Sequence, residues 1–142
     1  MLKGIPAILS PELLKVLMEM GHGDQVVIAD GNFPGASMAK RLVRLDGHDA
    51  APLLDAILTL MPLDTYVKEP VSLMAVMPGD PVKTPIWDTY AQIVEKHAPG
   101  TKIGHVERFA FYDLAKEAYC IIQTGEAALY ANILLQKGVV TA

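Results

Sequence analysis

The chain is poor in the residues that would staple or anchor it. Of its 142 residues one is cysteine, Cys120. A lone cysteine forms no internal disulfide, which excludes a disulfide-built scaffold and agrees with a reducing compartment. Cys120 lies in the apolar run Tyr119-Cys120-Ile121-Ile122, where a thiol packs as a small hydrophobe. No run approaches the ~18 consecutive apolar residues of a membrane-crossing helix. The first residues hold a single lysine, with Pro6, Pro11 and Glu12 close behind, a poor pattern for a signal peptide. The expected location is the cytoplasm. Positive charge is also short. The formal net charge is -4, which argues against nucleic acid or an anionic membrane as the partner.

Several chemical motifs are missing as well. No GxGxxG or Walker A run supports a nucleotide fold, and no G-x-S-x-G elbow presents a serine nucleophile. The four histidines, His22, His48, His97 and His105, lack metal-ligand spacing. Neither a metal nor a cofactor is expected.

What the chain has in excess is apolar residues, 51% of the total. Its length suggests one domain, residues 1–142, and a domain of this size buries about two-thirds of its unfolded surface. The surplus has two sources that can hold together. One is strands buried on both faces. The other is a subunit interface, which resembles a core cut in half.

Helix and strand signals alternate. Ser10-Pro11-Glu12 opens a helix, with Ser as cap, Pro at the first position and an acid in the first turn. Leu13, Leu14, Leu17 and Met18 repeat at helical spacing until Gly21. Gln25–Ala29 is an apolar strand, and Leu42–Leu45 a second one closed by Asp46-Gly47. Asp49 caps a predicted helix over residues 50–60, which Pro62 ends. A loop over 62–70 leads to a strand over 71–77, stopped by Pro78-Gly79-Asp80. Thr84-Pro85 opens another helix. Residues 102–108 read as a strand, 111–117 as a short helix, and 119–123 and 131–136 as the last strands. The pattern predicts a three-layer α/β domain, its mostly parallel or mixed sheet covered by helices on both faces.

The stretch Met20–Pro34, MGHGDQVVIADGNFP, holds the first candidates. His22 sits between two glycines that keep the backbone thin. A helix C-terminus favours the protonated imidazole, and imidazoles titrate near neutrality, so a proton donor fits. A polar residue in a helix-ending turn fits too. Asp30 closes the first strand, the edge where α/β sheets gather ligands; it equally suits an Asx turn onto Gly31-Asn32. The strand between them spans roughly 17–20 Å. His22 and Asp30 therefore meet only if the Gly21–Asp24 turn folds back, or if a second subunit contributes. Arg108 offers a fork of donors for paired hydroxyl or carboxylate oxygens, or a surface ion pair with Glu107 or Asp113. Tyr130 and Asn132 share one face if both lie on the final strand. Together they donate and accept as a sugar hydroxyl requires, or form a polar pair at a sheet edge.

MGHGD at Met20–Asp24, D-x-x-FP at Asp30–Pro34, RFAFY at Arg108–Tyr112, TGE at Thr124–Glu126 and YANILL at Tyr130–Leu135 recur in one family. On them the chain resembles the L-fucose mutarotase and D-ribose pyranase family, over nearly its whole length. The resemblance implies His22 as catalytic acid, and Asp30, Tyr130 and Asn132 as sugar ligands. At the position of Arg108, ribose pyranases carry His and fucose mutarotases carry Arg, so the fucose branch is implied and Arg108 joins the ligands. Asn32 stands where some fucose mutarotases have His. The resemblance further implies a homo-oligomer, commonly a decamer of two stacked pentamers, with sites at subunit contacts.

Anomer exchange suits these residues. The ring oxygen gains a proton, the anomeric hydroxyl loses one, the ring opens, the aldehyde rotates and the ring closes with either hand. One positioned acid or base supplies about 10²–10⁴-fold over the reaction in water. The expected activity is interconversion of the α and β anomers of L-fucose, with His22 as acid and Asp30, a tyrosine or water as base. The alternatives are a D-ribose pyranase and a non-catalytic sugar-binding accessory of a transport system.

Overall fold

Val26, Val27, Ile28 and Ala29 form a strand with no polar side chain on either face, so both faces need a cover. The alternation of side chains decides which cover each residue meets. A computed structural model describes residues 1–142. In it Val26 and Ile28 enter a large core with Leu13 and Leu17 of one helix and Leu54 and Ile57 of another. Val27 and Ala29 point the other way, into a smaller core with Phe33, Phe111 and Ala115. Truncating a fully buried side chain such as Ile28 to Ala in a core of this kind costs about 2–5 kcal/mol.

In chain order the elements are α1 (Pro11–Glu19), β1 (Gln25–Ala29), α2 (Gly35–Met38), β2 (Leu42–Leu45), α3 (Ala50–Leu60), β3 (Val71–Met74), α4 (Pro85–His97), β4 (Ile103–Val106), α5 (Arg108–Glu117), β5 (Cys120–Thr124) and β6 (Ile133–Gln136). The six strands form one sheet in the order β2-β5-β1-β6-β3-β4. β6 runs antiparallel to both its neighbours, β1 and β3. All other pairings are parallel. The expected three layers are present: α1, α3 and α4 pack on one face and α5 with the α2 segment on the other. The five parallel strands end at one edge of the sheet, and β6 enters from that same edge. Asp30, the segment after β3, Arg108 and the approach to β6 are therefore brought to one place.

Four local expectations need correction. β3 stops at Met74 rather than residue 77, because its partner β6 begins at Ile133, opposite Leu73. Arg108 does not end a strand; it opens α5. Glu107 caps that helix, its carboxylate accepting from the Phe109 and Ala110 amides at 2.9 and 3.0 Å. Tyr130 and Asn132 precede β6 instead of lying on it. Asp49 sits at the start of α3 without a capping bond. Glu126 does that work from a distant loop, accepting from the Ala50 amide at 3.2 Å. The short α2 had no expectation at all.

Candidate functional site

Asp30 leaves β1 at the edge just described, and both sequence readings of it hold at once. Its Oδ1 accepts from the Asn32 amide at 3.0 Å, the Asx turn. Its own amide donates to Asn132 Oδ1 at 2.7 Å, which ties the end of β1 to the approach of β6. Asp30 is buried. Burial pushes its carboxyl above the usual carboxylate range, against the Asn32, Ala131 and Phe33 amides and the Asn132 side chain, which hold it down.

The TGE run is the scaffold beneath that turn. Thr124 Oγ1 donates to the Ala29 carbonyl at 2.6 Å and accepts from the Glu126 amide at 3.1 Å. The Gly31 amide donates to the Glu126 carbonyl at 2.8 Å. A Cβ at Gly125 would run into the Asp46 carbonyl oxygen, so this crossing admits only glycine. Gln123 Nε2 donates to the Asp30 carbonyl at 2.6 Å.

Tyr130 holds a left-handed backbone conformation, φ 54°, the one non-glycine residue to do so. Such a conformation costs about 1–3 kcal/mol and persists where surroundings enforce it. Helix α4 enforces it here. Trp87 Nε1 donates to the Tyr130 carbonyl at 2.8 Å, and the buried Tyr90 hydroxyl donates to the Ala131 carbonyl at 2.7 Å. The Tyr130 hydroxyl donates to Asp80 Oδ2 at 2.8 Å and accepts from the Met77 amide at 3.3 Å.

Arg108 makes neither ion pair considered for it. Its Nε donates to the Tyr112 hydroxyl at 3.1 Å, which aims the rest of the guanidinium. The outcome is a cavity of about 280 Å³ lined by Asp30, Arg108, Tyr130, Asn132 and Asp80, with Phe33 and Met74 as apolar wall. Its polar groups sort by role. Asn132 has spent its oxygen on the Asp30 amide, and its NH₂, which also bonds the Asp30 carboxyl, keeps one N–H to offer; Arg108 can only donate; Asp30 and Tyr130 accept. Donors and acceptors gathered in one cavity suit a set of neighbouring hydroxyls.

His22 is not in this cavity. The Gly21–Asp24 turn does not fold back over the sheet; the Gly21 amide is tied to Asp24 Oδ2 at 2.8 Å and the Gly23 amide to the Lys137 carbonyl at 2.9 Å. The imidazole stays at the opposite edge, its side chain 43% exposed. There it meets a residue that sequence reasoning passed over. His22 Nε2 lies 3.1 Å from Oδ1 of the buried Asp64, and its ring packs on Tyr66 at 5.2 Å between centroids. Asp64 also accepts from the Tyr66 amide and from Gln136 Nε2, both at 2.9 Å. The Tyr66 amide is the leading cause that holds its carboxyl below the usual range, with His22 and Gln136 adding to it. A carboxylate only accepts, so the hydrogen of this pair sits on Nε2. Asp64 lies in a loop far from His22 in sequence. Its one local signal was the Asx-turn pattern just after Pro62.

Residues 3–140 match the RbsD / FucU transport protein family. A human fucose mutarotase is 46% identical over 144 residues, covering 97% of this chain and 94% of the relative. The structure of FucU from Bifidobacterium longum superposes with a TM-score of 0.95 at 60% identity, covering 98% of this chain and all of the other. The fucose mutarotase of Streptococcus pneumoniae, solved in complex with L-fucose, superposes with a TM-score of 0.93 at 52% identity, covering 99% and 100% of the two chains. With the mixed sheet, its two helical layers and the matched length in agreement, this chain belongs to the RbsD / FucU family.

Proposed function

We propose that the protein is an isomerase that interconverts the α and β anomers of L-fucose. The observation that carries this reading is the cavity at the sheet edge, which brings together two acceptors, Asp30 and Tyr130, and two donors, Asn132 and Arg108. That arrangement fits the hydroxyl face of a monosaccharide. The choice of L-fucose rests on relatives named fucose mutarotase, one of them holding L-fucose.

In this reading Asp30, Arg108, Tyr130 and Asn132 bind the sugar and His22 is the acid. The ring oxygen takes the proton from His22 as the anomeric hydroxyl loses its own. His22 stands at the far edge of its own sheet, so the imidazole comes from a neighbouring subunit. The exposed pair His22 and Tyr66 supports this, since it presents a protonatable ring and an aromatic face to whatever packs there. An apolar face supports self-association. Met18, Leu60 and Val140 are exposed together, around a groove of about 360 Å³ that also includes Leu14 and Leu17. We take the assembly to be a decamer of two stacked pentamers, built of single-domain subunits over residues 1–142, working in the cytoplasm without metal or cofactor. No helix is long and apolar enough to cross a membrane.

Saturation-transfer NMR on a panel of aldoses tests the activity. The anomeric protons of L-fucose should exchange faster with the protein than without it, and faster than those of D-ribose. Faster ribose exchange assigns the ribose branch. Sugar binding with no gain in exchange assigns a non-catalytic sugar-binding accessory of a transport system.

A further inference from the structure

We propose that Asp80 serves the exchange from behind Tyr130: Tyr130 takes the proton of the anomeric hydroxyl while passing its own to Asp80. This rests on the mutarotase reading and names the base that reading leaves open.

The hydrogen bonds of Tyr130 leave its phenol one use. Its hydrogen is committed to Asp80 Oδ2 at 2.8 Å, and one side of its oxygen is taken by the Met77 amide at 3.3 Å. What remains toward the cavity is a lone pair, so a sugar hydroxyl there must be the donor. Tyr112, Asn32 and Asp80 itself also line the cavity: the Tyr112 hydroxyl already accepts from Arg108 Nε, the Asn32 amide is tied to Asp30, and Asp80 holds the Tyr130 hydrogen. Asn132 and Arg108 face it as donors. Asp30 Oδ1 is taken by its own turn, and the Asn132 side chain bonds the same carboxyl, so this group is engaged in shaping the end of β1. Tyr130 is the acceptor with a carboxylate behind it. The anomeric hydroxyl is the most acidic hydroxyl of an aldose and the one whose proton must leave, so it belongs on that lone pair.

Both members of the pair are held in place. Asp80 Oδ1 accepts from the Val82 amide at 3.1 Å, and the Asp80 amide donates to the Met77 carbonyl at 3.1 Å. The preceding Gly79 takes φ +85°, which lets the turn close. Tyr130 is fixed by its left-handed backbone and by Trp87. The guanidinium of Arg108 lines the same cavity, where its positive charge favours the negative charge that develops on the sugar oxygens.

The step balances. The anomeric O–H proton moves to Tyr130 Oη as the Tyr130 proton moves to Asp80 Oδ2. The electron pair left on the anomeric oxygen forms the aldehyde C=O. The bond from the anomeric carbon to the ring oxygen breaks, and that oxygen takes a proton from the His22 imidazolium. Closing the ring on either face of the rotated aldehyde reverses each transfer.

Tyr130 touches the sugar in this scheme, and Asp80 is the positioning residue that also receives the proton. The rival role for Asp80 is a staple between the 75–84 loop and the approach to β6. A double-mutant cycle separates the two. L-Fucose exchange by saturation transfer and L-fucose affinity by calorimetry are measured for the unaltered protein, Asp80→Asn, Tyr130→Phe and the double variant. Asp80→Asn keeps an oxygen for the Val82 amide, so the turn survives. It should lose exchange on the order of 10²-fold, the low end of a general base, with affinity changed less than about threefold. Asp80→Glu, which keeps a carboxylate, should recover part of the rate. The double variant should be no slower than Tyr130→Phe alone. Full exchange by Asp80→Asn overturns the proposal, as does a loss of rate matched by an equal loss of affinity, or losses that multiply in the double variant. Absence of exchange in the unaltered protein would instead remove the mutarotase reading itself, and this proposal with it.

Discussion

His22 and Asp30 stand at the two ends of β1, with the strand, buried from Val26 to Ala29, between them. Side chains separated by roughly 17 Å of strand do not act on one sugar within one subunit. A site that uses both is therefore shared, and mixing subunits tests it. His22→Ala and Asp30→Asn should each be inactive alone. Dissociated, mixed in equal parts and reassembled, they should regain activity at about a quarter of the sites, where an intact His22 meets a neighbour's intact Asp30. No recovery after verified mixing would place both residues in one subunit's site.

The pair His22 and Asp64 makes a second prediction, in activity and in pH. Asp64→Asn frees the imidazole to take the other tautomer, and exchange should fall roughly 10²-fold. The stability effect follows from the sign of the shift. The Asp64 carboxyl is held below its unfolded value, chiefly by the Tyr66 amide. Its contribution is thus fully present above the unfolded carboxylate pKa of about 3.9 and is lost as pH falls through the lower folded value. The melting-temperature gap between the unaltered protein and Asp64→Asn should persist down to about pH 4 and close below it. A gap that stays open or widens below about pH 4 would contradict the pairing.

Tyr90 connects the α4 layer to the site. It is fully buried, and its hydroxyl holds the Ala131 carbonyl between two proposed sugar ligands. Burial raises its phenol far above the usual tyrosine value, so it stays neutral and donating at any working pH. Tyr90→Phe leaves that carbonyl unpaired and should cost about 1–3 kcal/mol in chemical denaturation. L-Fucose affinity should fall with it, because Tyr130 and Asn132 lose a fixed backbone between them. Unchanged affinity with lowered stability would confine Tyr90 to the core.

Much of the fold was legible because it was written locally. Ser10-Pro11 and Thr84-Pro85 mark helix starts, and Val26–Ala29 admits no exposed face. The site was legible only where one residue carried its own signal, as Asp30 did at a strand end. Arg108 was misplaced because Glu107, which caps α5 through its side chain, is not among the usual capping residues. The last strand, expected from residue 131, starts at Ile133, and the approach that holds Tyr130 and Asn132 rests instead on Trp87 and Tyr90, far away in sequence. Asp64 and Asp80 gave only turn signals, since the groups they serve arrive through the tertiary fold.

Arg108 tests the choice of sugar. Its guanidinium is exposed on the first turn of α5, so replacing it should not disturb the core. Arg108→His should lower L-fucose exchange and move the ratio of L-fucose to D-ribose exchange toward ribose. A ratio unchanged despite retained activity would show that Arg108 does not discriminate between them.

The central claim is proton transfer by His22, and one comparison reaches it. Saturation transfer between the α and β anomeric protons of L-fucose is recorded with no protein, with the unaltered protein and with His22→Ala. The unaltered protein should accelerate exchange. His22→Ala should keep its fold, because Gly21 and Asp24 already shape the turn through their own hydrogen bond. It should lose on the order of 10²–10⁴-fold in rate, with a much smaller change in sugar affinity. Near-normal exchange by His22→Ala would contradict the mechanism.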